Sequence, residues 1–147
     1  MGGNPWFYFV SYQKDLNSAL HQLKQREFQA GRYSPVILIP RFPVDEGNQG
    51  PGVGHGSIED ALDASGESGT RSILDMERVA DKRGLGVVAP LETEILDLLY
   101  GTTRPSREQV EVNMNFFEEV DRGEGIYIIT YRDGTPSEIL FAGYSYD

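Results

Sequence analysis

Cysteine is absent from this chain. That excludes a disulfide framework, a thiolate nucleophile, an iron–sulfur site and any Cys-based zinc site. No apolar run is long enough for the roughly 20 residues that a membrane-spanning helix needs. Met1-Gly2-Gly3-Asn4-Pro5 carries neither the basic nor the apolar part of a secretory signal. The lack of a cysteine fits any compartment, and the other two absences lead to the expectation of a cytoplasmic protein. Basic side chains are also in short supply, with 13 Lys and Arg against 23 Asp and Glu, for a formal charge of −10. Such a surface repels phosphate backbones, so neither nucleic acid nor an anionic membrane is expected as a ligand.

The charge is unevenly placed. Residues 1–44 sum to +3 and residues 45–147 to −13. A strongly acidic small protein suits a basic partner, because complementary fields speed encounter and bias specificity. The length of 147 residues fits one ordinary domain with a core of its own. A hydrophobic content of 39% and an aromatic content of 11% are those of a globular chain.

The aromatic run Trp6 to Tyr12 reads as a central strand. Asp15 then caps a helix in which Leu16, Leu20 and Leu23 form an apolar stripe, with Lys14, Lys24 and Arg26 on the polar side and Gly31 as the stop. Val36 to Ile39, bounded by Pro35 and Pro40, reads as a short strand or buried extended segment. A Gly/Pro-rich loop follows at about 41–56. Within it, Gly52 to Ser57 has glycines that would let backbone N–H groups approach an anion, but no strand directly precedes them and no Lys stands at the P-loop position. A mobile surface loop is the expectation.

Ser57 opens a short helix. Ser72 to Met76 reads as strand then turn, and Leu85 to Ala89 as a strand. Leu91, Ile95, Leu98 and Leu99 mark a helix ending at Gly101. The capping box Ser106 to Gln109 starts another that ends near Gly123, with Val110, Met114, Phe117 and Val120 facing inward and Glu108, Glu111, Glu118 and Glu119 outward. Two β-rich runs around Asp133-Gly134 end the chain as a hairpin. The elements predict an α+β fold, with a mixed or antiparallel sheet, helices mainly on one face and a C-terminal β-hairpin.

The hairpin runs from Gly125-Ile126-Tyr127 to Phe141-Ala142-Gly143. That spacing is similar to the paired elements that open GIY-YIG nucleases. The resemblance would place the cutting Arg and Glu on a helix and strand beyond the hairpin, where this sequence has only Tyr144 to Asp147. The motif therefore reads as a plain hairpin.

Candidate sites are few. His21 lies beside the apolar stripe of the first helix and reads as a packing or surface residue; His55, among loop glycines, could reach a substrate. No orienting partner for a nucleophile–base arrangement is identifiable. Adjacent acids such as Glu59-Asp60 and Glu118-Glu119 point in different directions on a helix and read as solvated faces, so neither a metal nor another cofactor is expected. Arg26, Glu27, Arg32 and Tyr33 form the densest polar-aromatic cluster outside the hairpin, suited to a carboxylate or phosphate, with Arg71 and Arg78 able to join.

Two readings follow. The first is a non-catalytic protein-binding domain of inhibitor or immunity type, whose acidic helices cover a basic protein. The second is a small enzyme or anionic-ligand-binding domain built on Arg26, Glu27, Arg32, Tyr33 and His55. Size, charge, the missing catalytic constellation and the Tyr and Trp content favour the first. Either admits a homo-oligomer.

Overall fold

The computed structural model describes residues 3–147. Five strands, β1 (Pro5–Ser11), β2 (Arg78–Val79), β3 (Val87–Pro90), β4 (Gly125–Arg132) and β5 (Thr135–Tyr144), form one sheet in the order β1-β5-β4-β3-β2. β1, β5 and β4 pair antiparallel, while β4, β3 and β2 pair parallel. The described helices are α1 (Leu16–Ala30), α2 (Ile58–Ser65), α3 (Thr93–Tyr100) and α4 (Arg107–Val112). The fold is mixed α+β, and β4 and β5 form the expected hairpin. Asp133 and Gly134 turn it with left-handed φ values of 53° and 78°, the combination that a type I′ connection requires.

Helical cover is two-sided rather than concentrated on one face. Trp6, Tyr8, Ile139 and Phe141 pack with Leu20 and Leu23 of α1. Ile126, Ile128, Leu140 and Ala142 pack with Leu96 of α3, Val110 of α4 and Phe116. α2 adds Ala61 to a smaller cluster with Phe28, Tyr33 and Leu74. The physical reason is legible in β5: residues Ile139 to Gly143 are all buried, as expected of a strand covered on both faces. At about 1.5–3 kcal/mol for each large apolar side chain buried, both layers contribute to stability.

β1 is an edge strand and not a central one. Its aromatic run reflects burial on both faces, and its outer side is flanked by Phe42, whose ring centroid lies 5.1 Å from Tyr8 and 6.0 Å from Phe7. Covering an edge in this way limits its pairing with other chains. The terminal strand β5, by contrast, lies between β1 and β4.

Other local expectations are corrected. Val36–Ile39 is a turn, with Leu38 74% and Ile39 53% exposed. Residues Ile73–Asp75 form a 3-10 turn capped by Ser72, and the strand β2 comes only after it. The single helix expected from Ser106 to about Gly123 breaks at Asn113, where φ is −144° and ψ 96°, and resumes as a 3-10 turn over Asn115–Glu119. The break moves the register, so that Phe116 is fully buried and Phe117 only partly so. Lys24, expected on the polar side of α1, is only 9% exposed.

The glycines that carry the nuclease resemblance have a packing role. Gly125 and Gly143 face each other across β4 and β5. A Cβ at either would lie 3.1 or 2.6 Å from the Trp6 ring, closer than carbon atoms can approach without displacing it.

Candidate functional site

Glu27 is completely buried near the C-terminal end of α1. Its carboxylate accepts from Arg26 Nε at 2.8 Å, from Arg32 Nε at 2.7 Å and from Arg32 Nη2 at 2.6 Å. Gly31 makes the Arg32 approach possible: its φ of 72° ends the helix and turns the chain back. The hydrogen bonds it donates to Glu27 hold the Arg32 guanidinium above its usual range. Tyr8 is likewise pushed well up, chiefly by burial and then by the Glu27 charge. Fork-to-carboxylate pairing of this kind is charge-assisted and geometrically specific. The cluster expected to grip an external anion is thus occupied by an internal one.

Tyr33 and His55 form a separate group. The Tyr33 hydroxyl and His55 Nδ1 are 2.7 Å apart, and the Tyr33 ring stacks on Phe28 at 6.0 Å. Burial raises the Tyr33 hydroxyl above its ordinary range. The loop carrying His55 is docked where a mobile one was expected. Gly52 N–H donates to the Ala30 carbonyl at 2.9 Å, so that donor is not available to an anion. The Gly52 carbonyl sits where a Cβ on Gly31 would be, 2.1 Å away.

Arg32 also donates from Nη1 to the Gln49 carbonyl at 2.7 Å. It lines a hollow of about 270 Å³ with Ile37, Ile39, Arg41 and Phe42, to which His55 does not contribute. Of the five residues, the structure therefore joins Arg26, Glu27 and Arg32 in one network and Tyr33 with His55 in another. His21 is exposed on α1. Arg71 does not join them: it pairs with Asp147 at 2.6 Å and donates to the Leu38 carbonyl at 2.7 Å. Arg78 is exposed on β2.

The acidic residues lie on the opposite layer. Glu108 and Glu111 belong to α4, Glu118 and Glu119 to the following 3-10 turn, and all four are exposed. The broken helix means that they do not share one helical face. They are spread instead over α4 and the turn, which together with α3 make up the α3–α4 platform. Tyr100 Oη donates to the Asn113 carbonyl at 2.7 Å, and Asn113 Nδ2 donates to the Leu99 carbonyl at 3.3 Å. These bonds tie the ends of α3 and α4 together, and burial pushes the Tyr100 hydroxyl up to about 12, which keeps it protonated as a donor.

At that junction Leu98 is 81% and Val112 86% exposed. Residues 91–120 hold seven acids and two arginines. Arg107 is committed, to Glu138 at 2.8 Å and to Glu111 at 3.5 Å. Glu94, Asp97, Glu108, Glu118 and Glu119 form no ion pair among the described residues.

Sequence reasoning missed one polar group. Asp75, 9% exposed, accepts from Thr70 N–H at 2.7 Å and Thr70 Oγ1 at 2.9 Å, while its Oδ2 has no partner among the described residues. Burial raises the Asp75 carboxyl and lowers the Lys24 ammonium, each partly offset by the charge of the other. The apolar residues Ile73, Leu74 and Met76 on either side of Asp75 were the available signal that this acid is drawn into the core.

No three His, Asp or Glu side chains come together as a metal site among the described residues. Nor is any described helix long and apolar enough to cross a membrane. No protein-family model, curated protein or solved structure matches the chain.

Proposed function

We propose that this chain is a non-catalytic protein-binding domain, of inhibitor or immunity type, that holds a basic partner protein against the α3–α4 platform. One observation carries the reading: Leu98 and Val112 are exposed on α3 and α4, which with the following turn also carry Glu94, Asp97, Glu108, Glu118 and Glu119, acids that form no ion pair among the described residues. An apolar centre with a charged rim is how protein interfaces are commonly built. The apolar centre supplies affinity, and the rim steers a positive surface into place and disfavours a negative one. The Arg26–Glu27–Arg32 network contributes to the body of the domain, since the buried Glu27 carboxylate engages both guanidinium groups.

The test compares capture from cell extract by the natural chain and by a variant with Glu108→Lys, Glu111→Lys, Glu118→Lys and Glu119→Lys. Only the natural chain should retain a basic protein, and the purified pair should bind in solution. A partner retained equally by both chains would refute the assignment. So would a retained partner of acidic charge.

A further inference from the structure

The segment 36–50 flanks the outer side of β1 and leaves the hollow of about 270 Å³ that the protein-binding reading does not use. Its apolar wall is Ile37, Ile39, Pro40, Phe42 and Val44. A second hollow, of about 380 Å³, meets it at Ile39, Pro40 and Phe42 and continues over Phe7 and Phe117. The shape is held from within. Arg32, anchored by Glu27, donates to the Gln49 carbonyl at 2.7 Å, and Asn48 Nδ2 donates to the carbonyls of Arg41 and Pro43 at 2.6 and 3.2 Å. A cavity organised in advance, mostly apolar and with few polar groups, is the ordinary form of a small-molecule site.

Two cations border the first hollow, and they differ. Arg32 is matched by Glu27. Arg41 is exposed, forms no ion pair among the described residues and has only a 3.5 Å contact from Nη2 to the Gly47 carbonyl. The neighbouring acid Asp45 directs Oδ1 to Gly47 N–H at 2.8 Å, as the cap of the 3-10 turn Glu46–Asn48. One free guanidinium beside an apolar wall matches a ligand with one negative charge and an apolar body. A guanidinium fork fits a carboxylate with two parallel hydrogen bonds, whereas a doubly charged phosphate would leave a charge unmatched here.

We propose that this hollow binds an amphipathic carboxylate, with its apolar body along Ile37, Ile39 and Phe42 and its acid group on Arg41. The first hollow shares no lining residue with the α3–α4 platform.

The test uses decanoate below its micelle concentration, with decan-1-ol as the uncharged control, followed by the methyl resonances of Ile39 and Val44. Decanoate should shift them saturably and bind at least tenfold more tightly than the alcohol. Arg41→Gln should weaken decanoate about tenfold and leave the alcohol unchanged. Ile39→Asp, at a half-exposed position, should abolish binding of both while the melting temperature holds. Equal affinity of acid and alcohol would overturn the proposal, as would retention of decanoate affinity in Arg41→Gln. Shifts confined to other parts of the molecule, or no saturable binding, would overturn it too.

Discussion

The C-terminal end of α1 and the α3–α4 platform use charge in opposite ways. At the first, three charged side chains close on one another: Glu27, fully buried, takes the donors of Arg26 and Arg32. At the second, Glu94, Asp97, Glu108, Glu118 and Glu119 stand in solvent without an ion pair among the described residues. A charge satisfied internally stiffens the fold and has little left for a partner; one left in solvent contributes little to stability and remains available. Density of charged residues along a sequence does not separate these cases. The α1 cluster, dense in charge along the sequence, closes on itself in the structure.

The sharpest way to break this contrast is to remove one member from each region. Glu27→Ala leaves two guanidinium groups without their counter-ion, one of them 11% exposed in its side chain. Loss of a buried partner costs about 3–5 kcal/mol, which denaturant unfolding should register as a lower midpoint at unchanged slope. Glu118→Ala, by comparison, should stay within about 0.5 kcal/mol of the natural chain.

Next in size is the apolar centre of the platform. Leu98→Ala combined with Val112→Ala should weaken the captured partner by about 2 kcal/mol, or about 30-fold, measured by calorimetric titration. Both side chains are exposed, so the midpoint of unfolding should hardly move. A large fall in stability would place these residues in the fold rather than at an interface.

Gly31→Ala probes how the α1 cluster is joined to its loop. The substitution forces a Cβ into a left-handed residue and onto the Gly52 carbonyl, 2.1 Å from its ideal position. A cost of about 1–3 kcal/mol is expected from the strained backbone. Amide exchange should quicken at Gly52, whose N–H donates to Ala30.

The smallest effect concerns pH. Burial raises the Asp75 carboxyl, so the folded chain holds that proton more tightly than the unfolded one. Its contribution favours folding below about pH 4, the unfolded carboxylate range, and is lost as pH rises through the raised folded value. Asp75→Asn keeps an acceptor for Thr70 and removes the titration. The natural chain should therefore lose stability relative to Asp75→Asn across that window, in thermal melts at stepped pH. A difference that does not change with pH would exclude the buried titration.

Much of the local structure was legible because it rests on short-range chemistry. Asp15 caps α1 by accepting from Ser18 N–H, and Gly31 stops it in the left-handed conformation. Ser106 and Gln109 form the expected capping box. What was not legible depends on tertiary neighbours. Aromatic β1 looks central because both of its faces are covered, although it lies at the edge. The α4 pattern continues through Val120 in helical spacing, but Asn113 turns its side chain to the Leu99 carbonyl and the helix ends there. Residue type and proximity in sequence group Arg26, Glu27, Arg32 and Tyr33 together. Their division into a Glu27 network and a Tyr33–His55 pair follows from the turn at Gly31, whose consequences span residues 27 to 55.

The most direct test of the unspent acidic charge is the salt dependence of partner binding, measured as the dissociation constant between 50 and 500 mM NaCl for the natural chain and the four-lysine variant. The account predicts steep weakening with salt for the natural chain and little residual binding for the variant at any ionic strength. Salt-independent affinity shared by both would contradict it.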